Sequence, residues 1–167
     1  TTRLNYNQGT DRSNALVSAS AFNIPGLFET QQDQWTWQND VKTPIGTVVA
    51  GAETLLQKVN SSTAYTVTER RINAVFAGLS GTASGHSWQL NARRDDNSQF
   101  GGSSTGYAGY GYQFNPNWRA HAGYGTSFVA PSFNQLYWKS TYYNGDPLLQ
   151  PEQGKNLEFG VDWTQDN

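Results

Sequence analysis

Polar and apolar residues alternate along several stretches of this chain. Across residues 34–42, Trp35, Trp37 and Val41 are apolar, the even-numbered residues are polar, and only Asn39 departs from the pattern. An amphipathic helix would instead place apolar residues three and four positions apart. Successive side chains of a strand point to opposite faces. The stretch therefore predicts a strand with one apolar and one polar face.

The same two-residue period recurs in residues 87–93, 105–114 and 156–163. Together the alternating stretches predict about eight strands, near residues 1–12, 29–43, 46–59, 69–82, 86–97, 104–114, 118–129 and 155–165. We expect one face of this sheet to contact lipid, namely the face with Trp35, Trp37, Trp88, Leu90, Tyr110, Tyr112, Leu157, Phe159 and Trp163.

Short and long connections follow one another along the predicted strands. Residues 43–46, 82–85 and 115–117 hold proline, glycine or asparagine and predict tight turns. The longer connections are residues 13–28, 60–68, 98–103 and 130–154. Hairpin connectivity then puts the turns on one rim and the long loops on the other. Residues 14–22 also alternate, so they are either a loop that folds over the mouth or an extra strand pair.

Composition narrows the fold class. Hydrophobic residues are 36% of the chain, aromatic residues are 14%, and the mean hydropathy is −0.67. This is little apolar material for a water-soluble core, but a transmembrane barrel has a wet interior and lipid outside. We predict an all-β fold, an antiparallel meander of about eight strands that is part of a large transmembrane β-barrel.

Several classes of protein are excluded or disfavoured. No stretch approaches the roughly 20 apolar residues of a transmembrane helix. The chain has no cysteine, which removes disulfides and cysteine-based zinc sites. A formal net charge of −2 without a basic run gives no electrostatic basis for binding nucleic acid.

Three segments carry a family resemblance: ARRDDNSQFG at residues 92–101, YGTSFVAPSFNQLY at residues 124–137, and GDPLLQPEQGKN at residues 145–156. With them the chain resembles TonB-dependent outer-membrane receptors, and within that family it is most similar to the cobalamin (vitamin B12) receptors. The second and third segments are shared widely in the family, whereas the first points to the cobalamin branch. The likeness extends from about Thr1 to Trp163 and is weakest in the loops at 13–28 and 60–68.

The resemblance implies a barrel of about 22 strands with a plug inside, in the bacterial outer membrane. This chain is then expected to be an interior segment of that barrel, residues 1–167, without the plug domain and the TonB box. Its expected partners are cobalamin or another large nutrient chelate, and the lipid and lipopolysaccharide of the membrane. TonB is reached only through segments outside the chain, nucleic acid is not a partner, and no cofactor is expected, although calcium is possible in the parent receptor.

Candidate ligand-binding residues lie in the long loop before the last strand. Trp138, Tyr142 and Tyr143, with Asn134 and Gln135, combine flat apolar surface with hydrogen-bonding tips, which suits large, partly polar ligands. The alternative is that these aromatics anchor the barrel rim in the lipid headgroups. The resemblance further places a polar ligand contact on Ser13 or Asn14.

Other polar residues have plain structural explanations beside functional ones. Residues 95–97, Asp-Asp-Asn, offer oxygens that suit Ca²⁺, but such residues are also common in strand-end turns. His86 lies beside a turn and His121 is predicted to face the lumen; neither has partners that indicate catalysis or metal binding. Lumen-facing charges either bond a plug or form a ladder between strands, namely Glu53, Arg71, Arg93 and Arg119.

Two classes of function remain open. The first is TonB-dependent transport of cobalamin, with a siderophore or haem receptor as the variant within that class; this chain would bind ligand at the extracellular rim but not transport alone. The second is a complete eight-stranded outer-membrane barrel that acts as an adhesin or a lipid-modifying enzyme. No arrangement of catalytic residues is visible in the sequence, so we predict that the chain is not an enzyme.

Overall fold

The computed structural model describes residues 1–15, 26–139 and 143–165. They form one antiparallel sheet in which each strand pairs with its neighbours along the chain. The strands are β1 (Thr2–Ala15), β2 (Gly26–Thr43), β3 (Gly46–Ser61), β4 (Glu69–Ala83), β5 (His86–Asn97), β6 (Gly101–Asn115), β7 (Trp118–Val129) and β8 (Glu152–Trp163), with a short helix α1 (Phe133–Tyr137) before β8. The sheet is not closed, because β1 and β8 do not pair. The predicted all-β meander is confirmed.

All predicted strand boundaries hold within three residues, and the largest differences lie at the rim of the long connections. The connection predicted across residues 98–103 is wrong, since β5 and β6 are joined by residues 98–100 alone. Asn97 makes this turn possible because its Oδ1 accepts the backbone N–H groups of Gln99 (2.9 Å) and Phe100 (3.3 Å). Gly101 completes it with a φ of +72°. Of the ambiguous residues 14–22, the first two continue β1 and the others lie outside the described part of the chain.

One face of the sheet carries apolar side chains on all eight strands. The register sets Leu4 beside Trp37, Trp37 beside Ala52, and Ala52 beside Val75. The predicted apolar residues share this face, which we call the outer face, and none of them is buried. Phe159, for example, is 76% exposed.

The turns and loops separate as predicted. The connections at residues 44–45, 84–85 and 116–117 lie together on one rim because the strands are antiparallel and in chain order. Residues 62–68, 98–100, 130–139 and 143–151 lie on the opposite rim, which we call the loop rim. Among the described residues, no helix has the length and apolar character needed to cross a membrane.

The second face, which we call the inner face, is mostly polar and carries a small core at the loop rim. There Val59, Phe133, Leu136 and Tyr137 are buried, and Phe28, Tyr65, Val67 and Phe100 pack around them. We call these eight residues the rim cluster. Its members come from β2, β3, α1 and two connections, so the core ties the loop rim together.

Candidate ligand-binding rim

Helix α1 occupies part of the long connection predicted across residues 130–154. Ser132 caps its first turn: the Ser132 Oγ accepts the backbone N–H of Gln135 (3.2 Å), and the Gln135 Oε1 accepts the backbone N–H of Ser132 (2.8 Å). This reciprocal pair is a capping box. The Ser-x-x-Gln spacing was therefore the sequence signal for the helix.

The buried side of α1 rests on the inner face of the sheet. Phe133, Leu136 and Tyr137 follow the three- and four-residue spacing of one helical face, and Leu136 is completely buried. The Tyr65 hydroxyl donates to Asn134 Oδ1 at 2.6 Å. Burial raises the pKa of Tyr65 above its ordinary value. The side chains of Asn134 and Gln135, predicted as ligand contacts, are thus used to hold the helix.

Trp138 follows the helix and is half-buried. Its carbonyl oxygen accepts the backbone N–H of Gly145 at 2.7 Å, and the N–H of Asp146 donates to the Gln135 carbonyl at 2.9 Å. Both bonds bring the returning chain back against the helix. Tyr143 lies in this return and is 46% exposed, whereas Tyr142 lies outside the described residues.

Ser13 and Asn14 end the first strand on opposite faces. Ser13 pairs with Phe28 and Asn14 with Leu27. Ser13 therefore lies on the inner face with the rim cluster, and Asn14 lies on the outer face. Phe28 also meets Trp138, with ring centroids 6.4 Å apart. Ser13 and Trp138 are therefore both neighbours of Phe28, which is a candidate site residue that the sequence analysis missed.

The predicted lumen charges are correct for Glu53, Arg93 and Arg119 but wrong for Arg71. Arg71 pairs with Leu56 and points to the outer face, and Arg70 points inward instead. The physical reason is parity, because neighbouring residues of a strand face opposite sides. Arg93 contacts Glu53 at 2.7 Å, so its observed partner is on the sheet. Because β4 lies between these two strands, the pair is not the predicted ladder between neighbouring strands.

Residues 95–97 do not converge on one point. Asp95 faces inward and pairs with Arg93 (2.9 Å), Asp96 faces outward opposite Asn73, and Asn97 caps the turn. The described residues contain no cluster of three His, Asp or Glu side chains that could hold a metal ion. The geometry is that of a strand-end turn, and calcium in the parent receptor stays a prediction.

The two histidines are both engaged with neighbours on the sheet. His121 faces inward as predicted, with its Nδ1 3.3 Å from Asp162 Oδ2. Its ring lies over Gly160, where an added Cβ would be 2.3 Å from the ring. His86 stacks on Tyr112 with centroids 4.6 Å apart. Its Nδ1 also lies 2.5 Å from the Tyr110 hydroxyl.

The model of the TonB dependent receptor-like β-barrel family matches residues 1–167. The chain belongs to this family. The predicted family and the predicted location in the bacterial outer membrane are thus confirmed.

The relatives that match this chain are named for different ligands. The vitamin B12 transporter BtuB of Photobacterium profundum is 31% identical over 139 residues, which are 82% of this chain and 22% of the transporter. The chain thus spans about a fifth of that relative's length. The siderophore receptor PirA of Pseudomonas aeruginosa superposes with a TM-score of 0.73 and 18% identity, covering 99% of this chain and 36% of PirA. PirA of Acinetobacter baumannii gives 0.67 and 14%, covering 99% and 30%. These structural likenesses show the fold alone.

Proposed function

We propose that this chain is an interior segment of a TonB-dependent receptor that takes up cobalamin. In this proposal further strands close the barrel, and a plug and a TonB box lie outside the segment. The sequence relationship to a vitamin B12 transporter supports the substrate. Ligand binds noncovalently at the loop rim and against the inner face below it, and no catalytic step is assigned to these residues.

The amide side chains of the inner face are the observation that supports cobalamin as the substrate. Across β1, β2 and β3 it presents a group of amide side chains, which we call the amide patch: Asn5, Asn7, Gln32, Gln34 and Gln57. The hydrogen bonds within the described part of the chain do not use these side chains. Free amide groups both donate and accept hydrogen bonds. They suit cobalamin, whose corrin ring is itself surrounded by amides.

Charge on the same face disfavours an anionic ligand. On the described inner face, carboxylates outnumber cations: Asp11, Asp40, Glu53, Asp95, Glu152, Glu158 and Asp162 against Arg3, Lys42, Arg70, Arg93 and Arg119. Arg3, Arg93 and Arg119 are each paired with a carboxylate. A ferric catecholate complex is an anion and would meet like charge here.

A siderophore receptor is the second candidate, because the two solved structures named above are siderophore receptors of the same fold. A neutral or cationic chelate would be compatible with the amide patch, so this candidate differs from the first in ligand and not in mechanism. On either reading the outer face, with its exposed aromatic residues, contacts lipid and lipopolysaccharide.

Calorimetry of the full-length receptor tests the substrate. We expect cobalamin to bind, a ferric catecholate to give no heat, and Gln34→Leu in the amide patch to weaken cobalamin binding. Gln89→Leu is the matched control, because Gln89 lies on the inner face of β5 outside the patch. Binding of a ferric siderophore without binding of cobalamin would reject the substrate while leaving the family intact.

A further inference from the structure

Arg70 is a buried cation at the loop rim. It is the second residue of β4, faces inward, and is only 4% exposed. None of the ion pairs in the described part of the chain includes it. Burying a charge is costly unless other groups compensate it. The contacts that compensate Arg70 therefore show what it does.

The guanidinium of Arg70 bonds two separate connections. Its Nε and Nη2 donate to Gln99 Oε1 at 3.0 and 2.7 Å, and Nη2 also donates to the Pro131 carbonyl oxygen at 2.9 Å. The guanidinium carbon lies 5.1 Å from the ring centre of Phe100 and 4.7 Å from that of Phe133. Cation–π attraction is strongest when the cation is desolvated, as it is here.

Gln99 extends these contacts to the helix. While its Oε1 accepts from Arg70, its Nε2 donates to the Tyr137 hydroxyl at 2.7 Å. Tyr137 in turn lies beside Tyr65 of the β3–β4 connection, with ring centroids 5.9 Å apart. One buried side chain is thus linked to residues 62–68, 98–100 and 131–137, the connections that rise from three different hairpins.

We infer that Arg70 is a positioning residue that joins these three connections into one body and so fixes the base from which Trp138 and Tyr143 are presented to ligand. The ligand part of this inference rests on the proposed function; the mechanical part does not. Lysine cannot replace arginine here, since its single nitrogen cannot span Gln99 and Pro131 in the planar fork that a guanidinium provides.

Amide hydrogen exchange of the full-length receptor in outer-membrane vesicles tests the mechanical part. Arg70→Met removes charge-assisted hydrogen bonds. We therefore expect amide exchange to rise about tenfold or more, and to rise together in residues 62–68, 98–100 and 133–138. Exchange in the centres of the strands should not change. Arg71→Met is the matched control, because its side chain is exposed on the outer face; it should leave all three connections as they are.

Arg70→Lys separates positioning from charge, because it keeps the charge but loses the fork. We expect it to raise exchange in all three connections and to weaken cobalamin binding, while Arg71→Met does neither. If Arg70→Met does not insert into the membrane, Gln99→Met removes the shared acceptor and should give the same pattern. A rise confined to residues 131–133, or wild-type exchange in both variants, would overturn the inference. If exchange rises in all three connections but the receptor does not bind cobalamin, the mechanical part of the inference stands and the proposed substrate is wrong.

Discussion

The ring of Trp138 meets the ring of Phe28 edge-on, with centroids 6.4 Å apart and planes at 89°. Phe28 pairs with Ser13 across the first two strands. Two residues that are far apart in the sequence, and were each predicted to contact ligand, therefore share one aromatic neighbour. The arrangement makes Phe28 the centre of the candidate site.

Replacement of Phe28 by alanine should weaken ligand binding. It removes the edge contact that holds Trp138, an aromatic pair of about 1 kcal/mol beyond its buried area, so cobalamin affinity should fall several-fold in calorimetry of the full-length receptor. Phe159→Ala is the control, since Phe159 is 76% exposed on the outer face. An equal loss in both variants would contradict a specific role for Phe28.

The variants Ser13→Ala and Asn14→Ala test which face of the sheet the ligand contacts. Ser13 lies on the inner face and Asn14 on the outer face. Only Ser13→Ala should therefore lose a hydrogen bond to the ligand, which is worth about 1 kcal/mol. The measurement is the cobalamin dissociation constant of each variant. A larger loss in Asn14→Ala would show that ligand reaches the outer side of this strand end.

Asn97 should contribute to stability through the turn between β5 and β6. It is 4% exposed and its Oδ1 accepts two backbone N–H groups. Asn97→Leu would leave those donors unpaired, at a cost of about 1–3 kcal/mol, which urea unfolding of the receptor in vesicles would measure. Asn97→Asp keeps the accepting oxygen and should lose less. Equal losses would mean that side-chain volume, and not the accepted bonds, holds the turn.

An added charge distinguishes the two faces of the sheet. Val75 is 59% exposed on the outer face, so Val75→Arg should place a charge in lipid and destabilise the folded barrel by about 2–4 kcal/mol if it lies near the membrane midplane. Asn91→Arg, on the exposed inner face of β5, is the control and should cost little. The unfolding free energies in vesicles measure both, and similar values would contradict lipid contact at Val75.

The strands and their faces could be predicted because the signal for them is local. A two-residue period is written in each strand separately, and a shift of one residue would turn its whole apolar set to the other face. The error at Arg71 could have been avoided from the sequence. Val75 and Leu79 follow Arg71 at even spacings, so they lie on the same face of the strand and show that this face is apolar. Turns with proline or glycine were equally local.

The candidate site was harder to predict because its contacts are not local. Helix α1 has only five residues, too short to show a helical period, and its capping box was the single sequence signal. Arg70 and Pro131 are 61 positions apart in the chain, and Tyr65 and Asn134 are 69 apart. No spacing within one segment indicates such pairs.

Alternation along the chain was thus enough to establish eight antiparallel strands, an apolar and a polar face, and the division of turns and loops between two rims. Only the folded sheet decided which loops meet. Hairpin order brings residues 62–68, 98–100 and 131–138 to one rim, and there burial of a few aromatic side chains and one arginine selects their arrangement. That selection depends on contacts between separate hairpins, which exist only once the strands are paired.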